Sequence, residues 1–374
     1  MAHPRSGALA ALAVLLLGGC SAGGEAPGER AGASDPPTAA APPPPPESFT
    51  LLATGDVLVH QDRALTAGAQ RPDGSYDFAE VFAPVAEIVG AADLAVCHLE
   101  TPVAPAGGPY RGYPSFAVQP EIVDALAGTG YDACSTASNH SLDDGVDGLA
   151  RTLDALDAAG LAHAGTARSE EEGRQPTVVD AGGARVGLVA ATFGTNGVPL
   201  PTGRAWSVDV ADLPDVGGIL EDAARARAAG ADVVVVSLHC CQEYEQDPTP
   251  AQEAAVRALL ASPDVDLVLG HHAHVVQPVE RVGDEWVAYG LGNHLAEHAT
   301  RGYPTEDSVA ARFTFTRGAD GRFTATRAEA VPLRIEIGAD AVRIVPADPA
   351  SAARIAAVLD RRGARAAGLE VAPG

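Results

Sequence analysis

Three histidines fall within four residues of the stretch DVDLVLGHHAHVVQP (264–278): His271, His272 and His274. They close an apolar run that ends at Gly270. Other apolar runs end the same way. Asp56 closes FTLLATGD (49–56), with His60 four residues on, and His98 and Glu100 close ADLAVCHLE (92–100). Asn139 and His140 close YDACSTASNH (131–140), His239 ends a Val-rich run, and Asn293 and His294 close EWVAYGLGNH (285–294). Each residue alone has an ordinary explanation: a turn residue at Asp56, a helix cap at Asn139, a satisfied strand-end imidazole at His239. Together they deliver metal-type ligands to the ends of successive strands. Oxygen and imidazole donors without a thiolate suit divalent Zn, Mn or Fe. There are too many for one tetrahedral ion. Two ions sharing a carboxylate would use the set, and such a pair activates water for attack on a phosphoryl or acyl centre.

The elements that must position these residues are legible as well. From residue 49, β-type apolar runs alternate with helix-type stretches, which predicts an α/β domain. ARVGLVAATFG (184–194) and ADVVVVSLHCC (231–241) continue the strand series. Leu149, Leu153 and Leu156 recur at helical spacing between strands. Gly130, Gly160 and Gly230 are placed as helix stops. In open α/β sheets, ligands bind outside the carboxyl ends of the strands, which is where the polar residues fall. RFTFTRGADGRFTATR (312–327) predicts a hairpin around Gly318–Gly321, and SAARIAAVLDRRGARAAG (351–368) predicts a terminal helix.

The bulk properties bound the function. The 374 residues carry 25 Lys+Arg against 49 Asp+Glu, a formal net charge of −24. That balance argues against nucleic acid as a partner, which requires a basic footprint. The N-terminus reads as an address. Arg5 precedes the apolar ALAALAVLLL (8–17), which is shorter than a typical membrane span. Small residues then lead into Cys20, the pattern of a bacterial lipoprotein signal in residues 1–20, with Cys20 as the lipidation site. Residues 21–48, rich in Ala, Gly and Pro and including Pro42 to Pro46, read as a tether. The expectation is an extracytoplasmic domain held at the membrane by a lipid anchor. Such a location permits disulfides. A Cys97–Cys134 bridge is plausible, two buried free thiols being the alternative. A bridge between the adjacent Cys240 and Cys241 would be strained.

The ordered set ATGDVLVH (53–60), CHLETPV (97–103), ASNHSLDDG (137–145), LHCCQEY (238–244), GHHAHVVQPVE (270–280) and YGLGNH (289–294) resembles the calcineurin-like metallophosphoesterases. More closely it resembles their CapA branch, bacterial proteins of poly-γ-glutamate capsule biosynthesis. The resemblance covers roughly residues 49–297. It implies a four-layer αββα sandwich with a two-metal site at the C-terminal ends of the strands. The domain is set at 49–335, with 336–374 as a C-terminal extension. Carried over by residue, Asp56 and His274 would hold the first ion, Glu100 would bridge, and Asn139, His239 and His272 would hold the second. His140 would be the catalytic acid or oxyanion stabiliser. The general pattern has a histidine two residues after the first aspartate. Here that position is Leu58, and His60 stands in as a metal ligand. His98, His271 and Asn293 would support the ligands from behind. In the loop YRGYPSF (110–116), Arg111 and Tyr113 are placed as substrate contacts.

The expected function is therefore that of a CapA-like lipoprotein acting in synthesis, export or anchoring of an anionic polymer, with a metal-dependent hydrolase-type site. Polymer synthase subunits are the expected protein partners. Two alternatives stay open: a general secreted phosphoesterase or nucleotidase, and a non-catalytic accessory subunit of a polymer synthase.

Overall fold

The computed structural model describes residues 48–299, 301–302, 304–339 and 341–372. The signal segment, the tether and Cys20 lie outside the described residues. In chain order the strands are β1 (Ser48–Val57), β2 (Leu94–Leu99), β3 (Ala133–Ser135), β4 (Ala162–Ala164), β5 (Thr177–Ala181), β6 (Ala184–Thr192), β7 (Val233–His239) and β8 (Leu267–His271). They continue as β9 (Val279–Val282), β10 (Glu285–Ala288), β11 (Asn293–Leu295), β12 (Asp307–Arg317), β13 (Phe323–Ile337), β14 (Val342–Pro346) and β15 (Leu369–Val371). One sheet runs β14-β13-β12-β1-β2-β3-β4, with β11 also on β1 and β15 also on β13. The other runs β5-β6-β7-β8-β10-β9.

Alternation along each strand builds the layers, because successive side chains point to opposite faces. Leu51 and Val96 of the first sheet meet Val186, Val235 and Leu269 of the second in one apolar cluster between the sheets. The residues one step along, Leu52 and Ala95, face outward under α1 (Ala64–Ala69), α2 (Ala79–Phe82), α3 (Ala86–Gly90), α4 (Glu121–Thr129) and α5 (Gly145–Ala158). After the short α6 (Glu170–Arg174), α7 (Gly217–Ala228) and α8 (Pro250–Leu260) cover Val234, Val236 and Val268 of the second sheet. The result is the expected αββα sandwich. Both faces of the central strands are buried, which is why they read as unbroken apolar runs. Gly130, Gly160 and Gly230 all take left-handed backbone just past a helix end. Thr249 caps α8 by accepting from the Gln252 N–H. No helix among the described residues is long and apolar enough to cross a membrane.

Several expectations change in detail. The strand predicted over 131–140 is three residues long: its last rung is the Thr136 N–H on the Ala164 carbonyl of β4, and the chain then turns through Ser138–His140. The stretch 285–294 divides into β10 and β11, which lie in different sheets. The terminal helix, α9 (Pro349–Leu359), stops well short of residue 368, and Gly363 turns left-handed just beyond it. The expected boundary at 335 falls inside β13, and β14 and β15 both pair with that strand. Cys97 and Cys134 sit side by side in register on β2 and β3 and are joined as a disulfide. Cys240 and Cys241 are also joined, with Cys241 held at φ +130°.

Candidate metal centre

The exits of β1, β2, β7 and β8 converge where the two sheets meet, and two glycines permit it. A Cβ on Gly55 would lie 1.9 Å from the Gly292 carbonyl oxygen, and one on Gly270 would lie 1.8 Å from the Tyr289 carbonyl oxygen. Each glycine therefore lets a neighbouring backbone cross directly against the strand that carries a ligand. Beyond Gly270 the backbone turns sharply. His272 (φ +84°) and His274 (φ +55°) both occupy the left-handed region, which is costly for side chains other than Gly or Asn. The strain is met by contacts: the His272 N–H donates to Asp56 Oδ2 at 3.1 Å, and His274 Nδ1 lies 3.2 Å from the same oxygen.

Ligand atoms of Asp56, His98, Glu100 and His239 lie within 4.8 Å of one another, and so do those of Glu100, His272 and His274. Glu100 is common to both groups, the position a bridging carboxylate requires. All six residues are buried. Both Glu100 carboxylate oxygens and His272 Nδ1 are buried without a hydrogen-bond partner among the described residues. The nearest charged partner of Glu100 is His274, with Nε2 3.8 Å from Glu100 Oε1, and an ionised carboxylate buried without a hydrogen bond is strongly disfavoured. Burial accordingly pushes the Glu100 carboxyl well above its ordinary range, with the Asp56 charge adding to the rise against an opposing effect from His274. Orphaned oxygens beside neutral imidazoles fit a divalent cation. The donors are of the right type, and no thiolate competes.

The remaining electrostatics agree. Burial would raise Asp56, but hydrogen bonds from His271 and His274 outweigh it and hold the group ionised. Burial, with neighbouring histidine charges, pushes His98 and His239 well below the usual imidazole range and takes His272 down to about 3. Neutral imidazole is the form that binds a metal. His274 is the exception. Burial pulls it down, yet the Glu100 charge and the Asp56 hydrogen bond hold it at about 9. It supplies one positive charge between two carboxylates.

His98, which is itself a member of one ligand cluster, His271 and Asn293 surround the other candidate ligands. His98 spans Ser135 Oγ (2.8 Å) and His239 Nδ1 (2.9 Å), which leaves His239 Nε2 facing Asn139 Oδ1 at 2.9 Å. His271 stacks on His98 at 4.1 Å and meets Asp56 Oδ1 at 3.1 Å. Asn293 Oδ1 holds His274 Nδ1 at 2.9 Å, and its amide donates to the His274 carbonyl. His140 faces the adjoining cleft, and its Nδ1 lies 2.6 Å from Asp143 Oδ2. That pair fixes the ring and leaves Nε2 free to handle a proton.

Two placements differ from expectation. His60 is in neither ligand group: its Nδ1 accepts from the Glu297 N–H, its ring lies against Phe116 and His298, and it lines the cleft wall. The chain leaves the exit of β1 through Leu58 and Val59, and four residues carry the imidazole past the carboxylates. Arg111 does not line the cleft. Its guanidinium is taken by Asp144 at 2.6 Å. Tyr113 does line it and is 76% exposed. The His294 ring points away to Tyr131 Oη at 2.8 Å, a structural contact.

The cleft has a volume of about 860 Å³. Its walls include residues that the sequence reading did not single out: Arg63, Phe116, Asn196, Glu243, Tyr244 and His298. Asp143, Glu243 and Tyr244 stood inside quoted motifs, so spacing from His140 and His239 could have found them. Arg63, Asn196 and His298 carry no periodic signal.

Comparison with known proteins follows the same line. Residues 50–298 match the family described as bacterial capsule synthesis protein PGA_cap. The PGA biosynthesis protein CapA of Bacillus subtilis (strain 168) is 28% identical over 207 residues, 55% of this chain and 53% of that protein. A probable polyglutamine synthesis accessory protein of Mycobacterium tuberculosis is 29% identical over 224 residues, 56% of this chain and 57% of that one. The chain thus spans about half the length of the curated relatives it matches. Among solved structures, the calcineurin-like phosphoesterase YfkN of Bacillus subtilis aligns with a TM-score of 0.44 at 16% identity, over 76% of this chain and 90% of that one.

Proposed function

This chain belongs to the bacterial capsule synthesis family PGA_cap, and from that premise we propose that it acts in the synthesis, export or anchoring of an anionic capsule polymer such as poly-γ-glutamate. In this reading it works outside the cytoplasm, anchored through a lipid on Cys20, and carries a hydrolase-type site for two divalent ions. One observation carries the reading of the site: the two unpartnered oxygens of Glu100 at the junction of two ligand groups.

Carried over from the family resemblance, Asp56 and His274 would hold the first ion and Asn139, His239 and His272 the second, a division that the ligand-atom clusters cut across, since Asp56 lies with His239 and His274 with His272; Glu100 is common to both clusters. Bound there, the ions would polarise a phosphoryl or acyl oxygen and lower the pKa of an attacking water. His140 gives a proton to the leaving group or steadies the developing oxyanion, and Asp143 fixes its tautomer. Tyr113 and Tyr244 flank the reacting group as exposed aromatic surfaces. Among the described residues that line the cleft, Arg63 is the only arginine or lysine. A polyanion would depend on it and on the ions for attraction, since the chain as a whole is acidic.

The test is metal content of the purified chain beside His272→Ala, with hydrolysis of an aryl phosphodiester assayed on the same samples. About two transition ions per chain, lost with activity in the variant, is the expected result. A chain that binds no metal under any loading condition would sink the reading. Labelling with an alkynyl fatty acid, lost in Cys20→Ala, tests the anchor. The mycobacterial relative, a probable polyglutamine synthesis accessory protein, favours a second reading, a scaffold for the synthase. That reading expects His140→Ala to leave polymer output unchanged.

A further inference from the structure

We propose that Asn196 is a positioning residue that fixes which end of the Asn139 carboxamide faces the metal. The inference rests on the two-ion reading above. The two ends of an Asn side chain have nearly the same shape, and only their partners decide the orientation. The oxygen can bind a cation and the NH₂ cannot. Asn139 Oδ1 lies toward His239 Nε2 at 2.9 Å, inside the centre, while its Nδ2 donates outward to Asn196 Oδ1 at 3.2 Å. Reversing the carboxamide would set two carbonyl oxygens against each other and point an NH₂ group at the cation position.

The loop that carries Asn196 is built to aim it. Its first residue, Phe193, is tied to the exit of β7 by its N–H on the His239 carbonyl, and its ring lies 4.8 Å from that of His272. Thr195 closes the following turn, with its carbonyl accepting from the Val198 N–H and its hydroxyl donating to the Val198 carbonyl. Asn196 (φ +49°) and Gly197 (φ +76°) form the left-handed apex. Asn is among the few residues other than Gly that take this conformation readily. The residue is exposed, yet its amide reaches inward to the buried Asn139 and approaches His140 Nδ1 at 3.4 Å. The short contact of that nitrogen is with Asp143 Oδ2 at 2.6 Å. What orients the carboxamide is the contact that the Asn196 oxygen makes with Asn139.

The test is cobalt(II) titration of the full chain, followed by visible absorption and by metal analysis. Asn196→Gly keeps the left-handed turn and removes the acceptor. Asn196→Asp keeps both turn and acceptor. The glycine variant should bind its first ion as the wild type does and its second about 10- to 100-fold more weakly, the loss typical when a group behind a ligand is removed, with an altered absorption spectrum. The aspartate variant should bind both ions at least as tightly as the wild type. A glycine variant with wild-type affinity and spectrum for both ions would overturn the proposal, as would an aspartate variant as impaired as the glycine one. Wild-type chain that takes up no cobalt would overturn the metal-centre reading itself and this inference with it.

Discussion

The two ends of the same strands use carboxylates in opposite ways. At the leading ends, Asp93, Asp132, Asp232 and Asp266 each stand just before a strand and accept the N–H of the strand before it, at Thr50, Ala95, Arg185 and Val234 respectively. Asp266 also pairs with Arg227, and Asp232 with Arg317. These carboxylates seal strand edges, each holding a backbone N–H of the neighbouring strand. At the trailing ends, Asp56 and Glu100 meet imidazoles instead, and both Glu100 oxygens are left without a hydrogen bond. Residue type does not separate structure from function here. The difference lies in whether the protein itself completes the carboxylate's coordination.

The strongest way to break that comparison is Glu100→Gln. It should weaken metal uptake at least a hundredfold, because the carboxylate common to both ligand clusters is lost. Metal analysis of the purified variant reads the effect. A variant that takes up metal as the wild type does would refute the claim that this carboxylate is left for an ion. Asp266→Ala should do the reverse. It strands the Val234 N–H and leaves Arg227 with only the Ala231 and Asp232 carbonyls, costs about 3 kcal/mol in denaturant unfolding, and leaves metal stoichiometry unchanged. Asp143→Asn sharpens the picture at the trailing end. Turnover should fall about 100-fold with full metal content, since the tautomer of His140 is lost and no ligand is touched. Equal loss of metal would place Asp143 among the ligands' supports instead.

The smallest effect concerns Glu285, which opens β10 at the leading end and departs from the rule there. Burial first, then the Asp266 charge, pushes its carboxyl up to about 7. The folded chain therefore keeps a proton that the unfolded chain gives up near the ordinary carboxylate value. Stability should decline as pH rises from about 4.5 through about 7, and Glu285→Gln should remove that slope. The group is partly exposed, so the gain at pH 8 is expected to be about 1 kcal/mol after solvent screening. Parallel stability curves for the two proteins from pH 5 to 8 would contradict it.

Most of the trailing end was legible in the sequence, because strands buried on both faces give long apolar runs and each ligand residue punctuates one. Asp56, Glu100, His239 and His272 could be placed by that signal alone. The leading aspartates were equally available, in ADL, YDA, ADV and DVD, and went unread because a single acid before a strand looks like an ordinary turn. His60 was misplaced because spacing along a strand says nothing about where the chain goes after the strand ends. Arg111 was assigned to substrate because its competitor, Asp144, lies far away in sequence. β4 and β5 were missed because short edge strands carry too few apolar residues to show a period. Asn196 gave no signal at all: an exposed loop amide matters only through the buried one it touches.

One feature of the first sheet governs the order of events in time. β1 lies between β2 and β12, and Ala53, three residues before Asp56, pairs with Ala311. β12 follows every candidate ligand residue in the sequence. The earliest of them, Asp56, is therefore locked in place by one of the latest strands, and the site cannot close before the C-terminal third of the chain is folded onto β1. Folding must wait on contacts that span most of the domain, which makes it slow.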